Sequence, residues 1–292
     1  MESNVRDVAL VFEGGGMRAA YSSGVVATLV QQGIFFDFVG GISAGSSCTA
    51  NYLARDPARA KKSFVDIVAD PQFANVRDWF GGRGYFNAPY IYERTGGPGQ
   101  SLPFDFATFT ANPATRRIGA FECDTGRGLY FGERDLDTLP KLMRRVRASS
   151  TLPIVMPPVL IDGKTYVDGA LGPTGGFAID AAREAGYSRF FVVLTQERSY
   201  KKQPSKTPWL FDIWFRKFPA VAESLNDRWR RYNATREELF DLEASGDAYL
   251  FVPERMTVGN STTDIAELQA TYDAGYAQAQ REIPKWREFL GL

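Results

Sequence analysis

Histidine is absent from all 292 residues, and that absence excludes more chemistry than any other compositional fact. Every mechanism that uses imidazole as base, acid or metal ligand is removed, including Ser-His-Asp, Cys-His and histidine-ligated metal sites. Any nucleophile must work with another base. Cysteine is nearly absent too: Cys48 and Cys123 are the two thiols, with no Cys-x-x-Cys pair. Neither a disulfide framework nor a zinc site is signalled, and two buried free thiols are expected. A surplus of either charge is also missing, since 34 basic residues balance 34 acidic ones, which argues against a nucleic-acid partner. Long hydrophobic runs are missing as well. The run Val8 to Phe12 follows an acidic residue at position 2 and is too short for a signal peptide or a spanning helix, so a cytoplasmic location is expected. What remains, 44% apolar and 23% charged residues, is the composition of a globular chain with a sizeable core.

Val8 to Phe12 ends in Glu13-Gly14-Gly15-Gly16, and Arg18 to Gln32 then places Val25, Val26, Leu29 and Val30 at helical spacing. Strand, Gly-rich turn and helix follow in that order. A second run, Ile34 to Ile42, breaks at Ser43-Ala44-Gly45 and continues as a helix to Ala54. Two such units in series predict a parallel sheet with crossover helices, whose site lies beyond the carboxyl ends of the strands. Asp70 to Pro113, rich in Pro, Gly and aromatic residues, has no sustained period and reads as an irregular excursion. Further along, Arg117–Cys123 and Gly128–Phe131 read as a hairpin-like pair, Leu136–Ala148 as a helix, and Val159–Ile161 and Thr165–Val167 as strands around Asp162-Gly163-Lys164. Ala178–Glu184 reads as a helix and Phe190–Leu194 as a buried strand. Helices are expected over Trp209–Phe218 and Leu225–Leu242, one more strand over Ala248–Val252, and terminal helices over Ile265–Leu290, interrupted at Pro284.

Three constellations carry chemistry. Gly41-Ile42-Ser43-Ala44-Gly45 is a Gly-x-Ser-x-Gly at a strand-to-helix junction, with Ser43 at the strained tip and a helix start directed at it. The bland alternative is a Gly-Ser turn that only begins a helix. Glu13-Gly14-Gly15-Gly16-Met17-Arg18 closes one strand and opens a helix, where free amides can hold a phosphate or the oxyanion of acyl transfer. Gly14-x-Gly16-x-x-Ala19 also fits the dinucleotide fingerprint, but that reading wants an acid closing the second strand. Asp37 instead precedes Val39-Gly40-Gly41-Ile42, and the dinucleotide reading loses there. Tyr166-Val167-Asp168-Gly169-Ala170 places a carboxylate directly after a short strand, on the side where the parallel neighbours keep their glycine loops. Asp162-Gly163 is by contrast a hairpin tip.

In their order, these three signatures resemble those of the patatin-like phospholipase family. Ala148-Ser-Ser-Thr-Leu-Pro153, Pro157-Pro158 and Ile161 to Tyr166 resemble the family's approach to its aspartate, and Val192-Val-Leu-Thr195 with Tyr200-Lys-Lys202 resembles its bacterial branch. The resemblance covers about residues 5 to 200 strongly and Phe251–Glu254 and Leu268–Gly275 more loosely. It implies an α/β fold, a three-layer αβα sandwich with a mainly parallel central sheet. Residues 1–200 would form the catalytic core, and residues 201–292 a mostly helical extension with one further strand, packed on the same domain. It implies hydrolysis of acyl esters of lipids or phospholipids by a Ser-Asp dyad with no metal and no cofactor. Ser43 would be the nucleophile, Asp168 the base, Gly14, Gly15, Gly16, Met17 and Arg18 the oxyanion loop, Gly41, Ile42, Ala44 and Gly45 the elbow, and Gly169 and Ala170 the rest of the Asp-Gly-Ala motif. Ala19 stands where the family commonly has glycine. The alternative is a catalytically silent lipid-binding or regulatory protein of the same fold.

Trp209 to Phe218 carries aromatic and aliphatic residues at helical spacing, near Arg198, Lys201, Lys202, Lys206, Arg228, Arg230 and Arg231. Such an element can lie on an anionic membrane surface. The preferred reading is a helix packing its aromatics on the core, and Lys141 to Arg147 reads as the wet face of another helix. The aromatic stretch Trp79 to Tyr92 is a candidate wall for an acyl chain, with core packing again preferred.

Overall fold

The computed structural model describes residues 2–74 and 86–292. Among them, β1 (Val8–Phe12) leads through the glycine loop into α1 (Ala19–Gln31), and β2 (Phe38–Ile42) leads through Ser43 into α2 (Ala44–Leu53). The short α3 (Pro57–Lys62) follows. The stretch expected to be irregular contains two short helices, α4 (Ala88–Glu93) and α5 (Phe106–Ala111). Each is started by an acceptor that its neighbourhood of Pro and Gly had obscured: Asn87 takes the Tyr90 N–H, and Asp105 the Thr108 N–H. The expectations for Trp79, Phe80 and Tyr85 lie outside the described residues.

Next come β3 (Thr115–Glu122), β4 (Arg127–Phe131) and α6 (Leu139–Ser149). The last begins three residues later than its apolar pattern suggested, because Thr138 accepts the Lys141 N–H at 3.3 Å and Pro140 suits a first turn. The hairpin β5 (Val159–Ile161) and β6 (Lys164–Asp168) turns through Asp162 and Gly163, both at positive φ, the geometry of a two-residue hairpin loop. After α7 (Ile179–Glu184) and β7 (Arg189–Val193) come α8 (Pro208–Trp214), the long α9 (Pro219–Ser245), β8 (Ala248–Phe251) and α10 (Ile265–Leu290). α10 runs unbroken through Pro284, correcting the expected interruption. Proline removes one intrahelical N–H, but the fully buried Trp286 and the buried Leu290 anchor the turns after it.

The sheet has eight strands in the order β5-β6-β3-β2-β1-β7-β8, with β4 on the other edge of β3. β3-β2-β1-β7-β8 are mutually parallel, whereas β4, β5 and β6 enter by antiparallel pairs. Strand periodicity makes the layers. Val8, Leu10 and Phe12 of β1 join one core with α1, α2 and α10, while Ala9 and Val11 join a second with α7 and α9. The result is a three-layer αβα sandwich. α1 and α10 cross closely: a Cβ on Gly24 would lie 2.4 Å from the Tyr276 nitrogen, and one on Gly275 would lie 2.3 Å from the Tyr21 carbonyl oxygen. Cys48 and Cys123 are buried free thiols, and burial pushes the Cys123 thiol up to about 12.

Candidate active site

The edge of β3 brings Ser43 and Asp168 together. Residues 115–119 of β3 pair with β2, and residues 120–122 of the same edge pair with β6, which runs the opposite way. Both edge assignments follow from β4, which shares partners with each of them and so occupies the other edge. Ile42 stands opposite Gly119, and Asp168 stands opposite Ala120. The two strands therefore meet carboxyl end to carboxyl end. In continued register Ser43 would take the place Asp168 already fills, so the chain must leave the sheet there. Asp168 lies on the side where the glycine loops are, but the strand that carries it is antiparallel to β3 and reaches that side from the opposite direction to β2.

The departures are built from glycine. Ser43 has φ 56° and ψ −129°, outside the regions a non-glycine residue ordinarily adopts, at a cost of about 1–3 kcal/mol borne by the surrounding packing. A Cβ on Gly41 would lie 2.2 Å from the Gly45 carbonyl oxygen, and one on Gly45 would lie 2.2 Å from that of Phe12. The ends of β1 and β2 and the start of α2 thus pack backbone on backbone. Gly169 answers the same need after Asp168, since a Cβ there would lie 2.4 Å from the Gly119 carbonyl oxygen.

Ser43 Oγ donates to Asp168 Oδ2 at 2.7 Å across 125 residues of sequence. The other carboxylate oxygen accepts the Ala170 N–H at 2.8 Å, which fixes the carboxylate plane. The Ser43 N–H donates to Ser149 Oγ at 2.9 Å, anchoring the turn to α6. Ser43 is 6% exposed and Asp168 2%. Burial raises the Asp168 carboxyl above the ordinary carboxylate range, against the opposing pull of Arg228, the Ala170 N–H, Ser43 and Lys202.

The glycine loop divides its amides unevenly. Gly14 N–H donates to Gly176 O, Met17 N–H to Asn260 O at 3.1 Å, and Arg18 N–H to Gly15 O. Among the described residues, the Gly15 and Gly16 amides have no acceptor. The loop's shape explains this. Gly16 has φ 56° with Asn260 O 2.3 Å from where a Cβ would stand, and a Cβ on Gly15 would strike Thr195. Of the five residues expected to offer oxyanion donors, only Gly15 and Gly16 hold free backbone N–H groups; Gly14, Met17 and Arg18 have theirs committed to the fold. Glu13 is buried and braces the loop, accepting from the Thr195 N–H at 2.5 Å and the Tyr232 hydroxyl at 2.6 Å. Asp37, the acid of the rejected dinucleotide reading, sits just before β2, at the opposite end from Ser43, and accepts from the Tyr187 hydroxyl.

Two cavities meet at Ser43. One, about 830 Å³ counted out to its solvent-open mouth, is mostly apolar, with Phe64, Phe73, Phe86, Tyr92, Met143 and Val146 in its wall. Phe86 is both a core residue and a lining residue, so the two readings of the aromatic stretch coincide there. The other, about 620 Å³ counted the same way, is polar and is lined by Asp168, Arg18, Lys202 and Arg228. Burial and the neighbouring charges of Arg228 and Arg18 pull the Lys202 ammonium down to about 8. Ser149, Asn260, Lys202 and Arg228 were not among the residues expected at the site. Ser149 belongs to the Ala148–Pro153 run and Lys202 to Tyr200-Lys-Lys202, and Arg228 stood among the basic residues near Trp209 to Phe218, but none of these patterns placed them beside Ser43; for Asn260 no local pattern exists.

A family model described as patatin-like phospholipase matches residues 10–178, more than half the chain. This chain belongs to that family. The patatin-like region ends before Lys202 and Arg228, and residues 218–291 match a second model, a domain of unknown function (DUF6363). The uncharacterized Escherichia coli (strain K12) protein YjjU is 24% identical over 190 residues, covering 64% of this chain and 52% of that protein. Lysophospholipase nte1 of Aspergillus niger is 28% identical over 198 residues, covering 64% of this chain and 12% of the relative. This patatin-like chain thus spans about half of the first relative and a small part of the second. The crystal structure of VipD from Legionella pneumophila superposes with a TM-score of 0.50 at 12% identity, covering 96% of this chain and 67% of the other, a likeness of fold.

Proposed function

We propose that this chain is a serine lipid acyl hydrolase of the phospholipase A or esterase type, acting through a Ser43-Asp168 dyad. The observation that carries the reading is the 2.7 Å bond from Ser43 Oγ to Asp168 Oδ2 in a chain that has no histidine to take the proton instead. Ser43 Oγ attacks the ester carbonyl carbon while its proton passes to Asp168. The carbonyl oxygen becomes an oxyanion, for which the Gly15 and Gly16 amides are the free donors. Collapse of the tetrahedral intermediate breaks the bond to the alkoxy oxygen, which takes the proton back from Asp168. Water then repeats the cycle on the acyl-enzyme and frees the acid. A solvated carboxylate near pKa 4 is a poor base toward a serine hydroxyl, and burial corrects this by making Asp168 more basic. A silent lipid-binding protein of the same fold would have no use for a strained serine bonded to a buried carboxylate. The test is labelling with a fluorophosphonate followed by peptide mapping. The expected adduct is on Ser43, with turnover of a chromogenic acyl ester; a protein that neither labels at Ser43 nor turns over the ester rules the reading out.

Peripheral contact with a lipid surface belongs to the same proposal. Trp209, Ile213 and Trp214 of α8 are each more than half exposed, whereas Phe211, Phe215 and Phe218 are half-buried, the last two against a core cluster, so the preferred reading that this segment buries its aromatics holds for the phenylalanines and not for the tryptophans. The Lys141 to Arg147 segment departs from its reading the other way, because Arg145 is buried beneath Asp162 and over the Phe131 ring. Among the described residues no helix is long and apolar enough to cross a membrane. Exposed indole rings flanked by Arg216 and Lys217 suit an interface instead. Replacing both Trp209 and Trp214 by Ala should weaken sedimentation with anionic vesicles by about tenfold or more. Unchanged sedimentation removes α8 from the contact.

A further inference from the structure

An ester has two sides, acyl and alkoxy, and Ser43 stands where an apolar cavity meets a cationic one. The apolar cavity accounts for the acyl chain. The other is unusual in its charge. Arg18, Lys202 and Arg228 all line it, and none of them has a carboxylate partner among the described residues. Arg228 spends its Nε–H on the Ala170 and Gly175 carbonyl oxygens, leaving its terminal nitrogens uncommitted. Arg18 Nε is buried with no hydrogen-bond partner. Of the two acids in the wall, Glu13 has both oxygens bonded to Thr195 and Tyr232, and Asp168 has both bonded to Ser43 and Ala170. Three cations against these two carboxylates leave the wall net positive in a partly buried space, and a bound anion would offset that excess.

On the acyl hydrolase reading above, we propose that this cationic cavity receives the phosphate of the leaving alcohol, and that Lys202 and Arg228, which lie outside the patatin-like region, set the preference for phosphate-bearing over neutral acyl esters. Guanidinium groups match phosphate oxygens with paired N–H donors, and the ammonium adds a point charge. In an acylated glycerol phosphate only a few bonds separate the carbonyl carbon from phosphorus, which suits two cavities that share Ser43. Arg228 and Asn260 lie in residues 218–291, so the region matched to a domain of unknown function supplies part of this wall. Chemistry comes from the patatin-like region, and choice of alcohol comes from the segment beyond it.

The experiment compares kcat/KM for a short-chain acylglycerol phosphate and for the monoacylglycerol of the same chain, in the full-length protein. The wild type should prefer the phosphate ester by about tenfold or more. Lys202→Gln and Arg228→Gln should each cut that ratio severalfold, and Lys202→Arg should restore most of it. Should Arg228→Gln fail to fold through loss of its two carbonyl contacts, the Lys202 pair still decides. A wild-type ratio near one, with the neutral ester turned over, overturns the inference and leaves the hydrolase reading standing. Inorganic phosphate that inhibits without any change of ratio in the variants also overturns it, because the cavity then takes free phosphate only. If neither ester is cleaved, the hydrolase reading itself fails.

Discussion

Replacing Ser43 by Ala should lower kcat/KM toward a soluble acyl ester by about 10⁴–10⁶-fold, while the melting temperature stays within a few degrees of wild type. The size follows from the absence of a substitute: no other hydroxyl among the described residues is bonded to Asp168, and neither buried thiol faces the cavities. The fold should be indifferent. The Oγ makes a single hydrogen bond, and the anchoring contact to Ser149 uses the Ser43 backbone N–H, which alanine keeps. Steady-state kinetics beside a thermal melt separate the outcomes. Activity within tenfold of wild type would mean that another group attacks the ester.

Asp168→Asn should be the second large loss, about 10²–10⁴-fold, the worth of a general base. It carries a readout in stability as well. Because burial raises the carboxyl's pKa, the folded protein holds this proton to a higher pH than the unfolded chain, whose carboxyl titrates near 3.9. Across the window between the two, the native state binds more protons, so stability falls as pH rises. Above it the fold carries a buried charge the unfolded chain would solvate. Asparagine removes the charge and keeps the shape. The variant is therefore expected to melt higher than wild type at neutral pH, with the gap closing as the pH drops toward 4. A variant that melts lower at neutral pH would mean that Arg228 and Lys202 outweigh burial, reversing the assigned direction. The acid limb of kcat/KM in the wild type should lie above the ordinary carboxylate range for the same reason.

Legibility in the sequence followed the range of the contacts involved. Ser43 and Asp168 stood out because a turn and its glycines are written within five residues, and the strand-turn-helix order gave the parallel core. The meeting of β2 and β6 was not legible, since it depends on which residues of β3 each one pairs with. The same holds for the glycine loop. Nothing between Glu13 and Arg18 says which amides are spent, because their acceptors, Gly176 and Asn260, lie far along the chain. Lys202 and Arg228 read as ordinary surface charges until α9 and the loop before α8 fold over Ser43. For Trp209 to Phe218 the periodicity identified a stripe but not whether anything covers it, and Trp209 and Trp214 turned out uncovered. Pro284 misled for a different reason: the burial of Trp286 outweighs one missing hydrogen bond.

Strands that abut on a shared edge turn β3 into a ruler. The separation of hydroxyl and carboxylate is graduated in residues of that one strand, not in the loops that join the three. Shifting the β5–β6 hairpin by a single notch would move Asp168 by about 3.3 Å and point it through the opposite face of the sheet. Length changes at the hairpin's far tip, around Asp162 and Gly163, leave the graduation untouched, whereas one residue gained or lost between Lys164 and Asp168 would misalign it in an otherwise well-formed molecule.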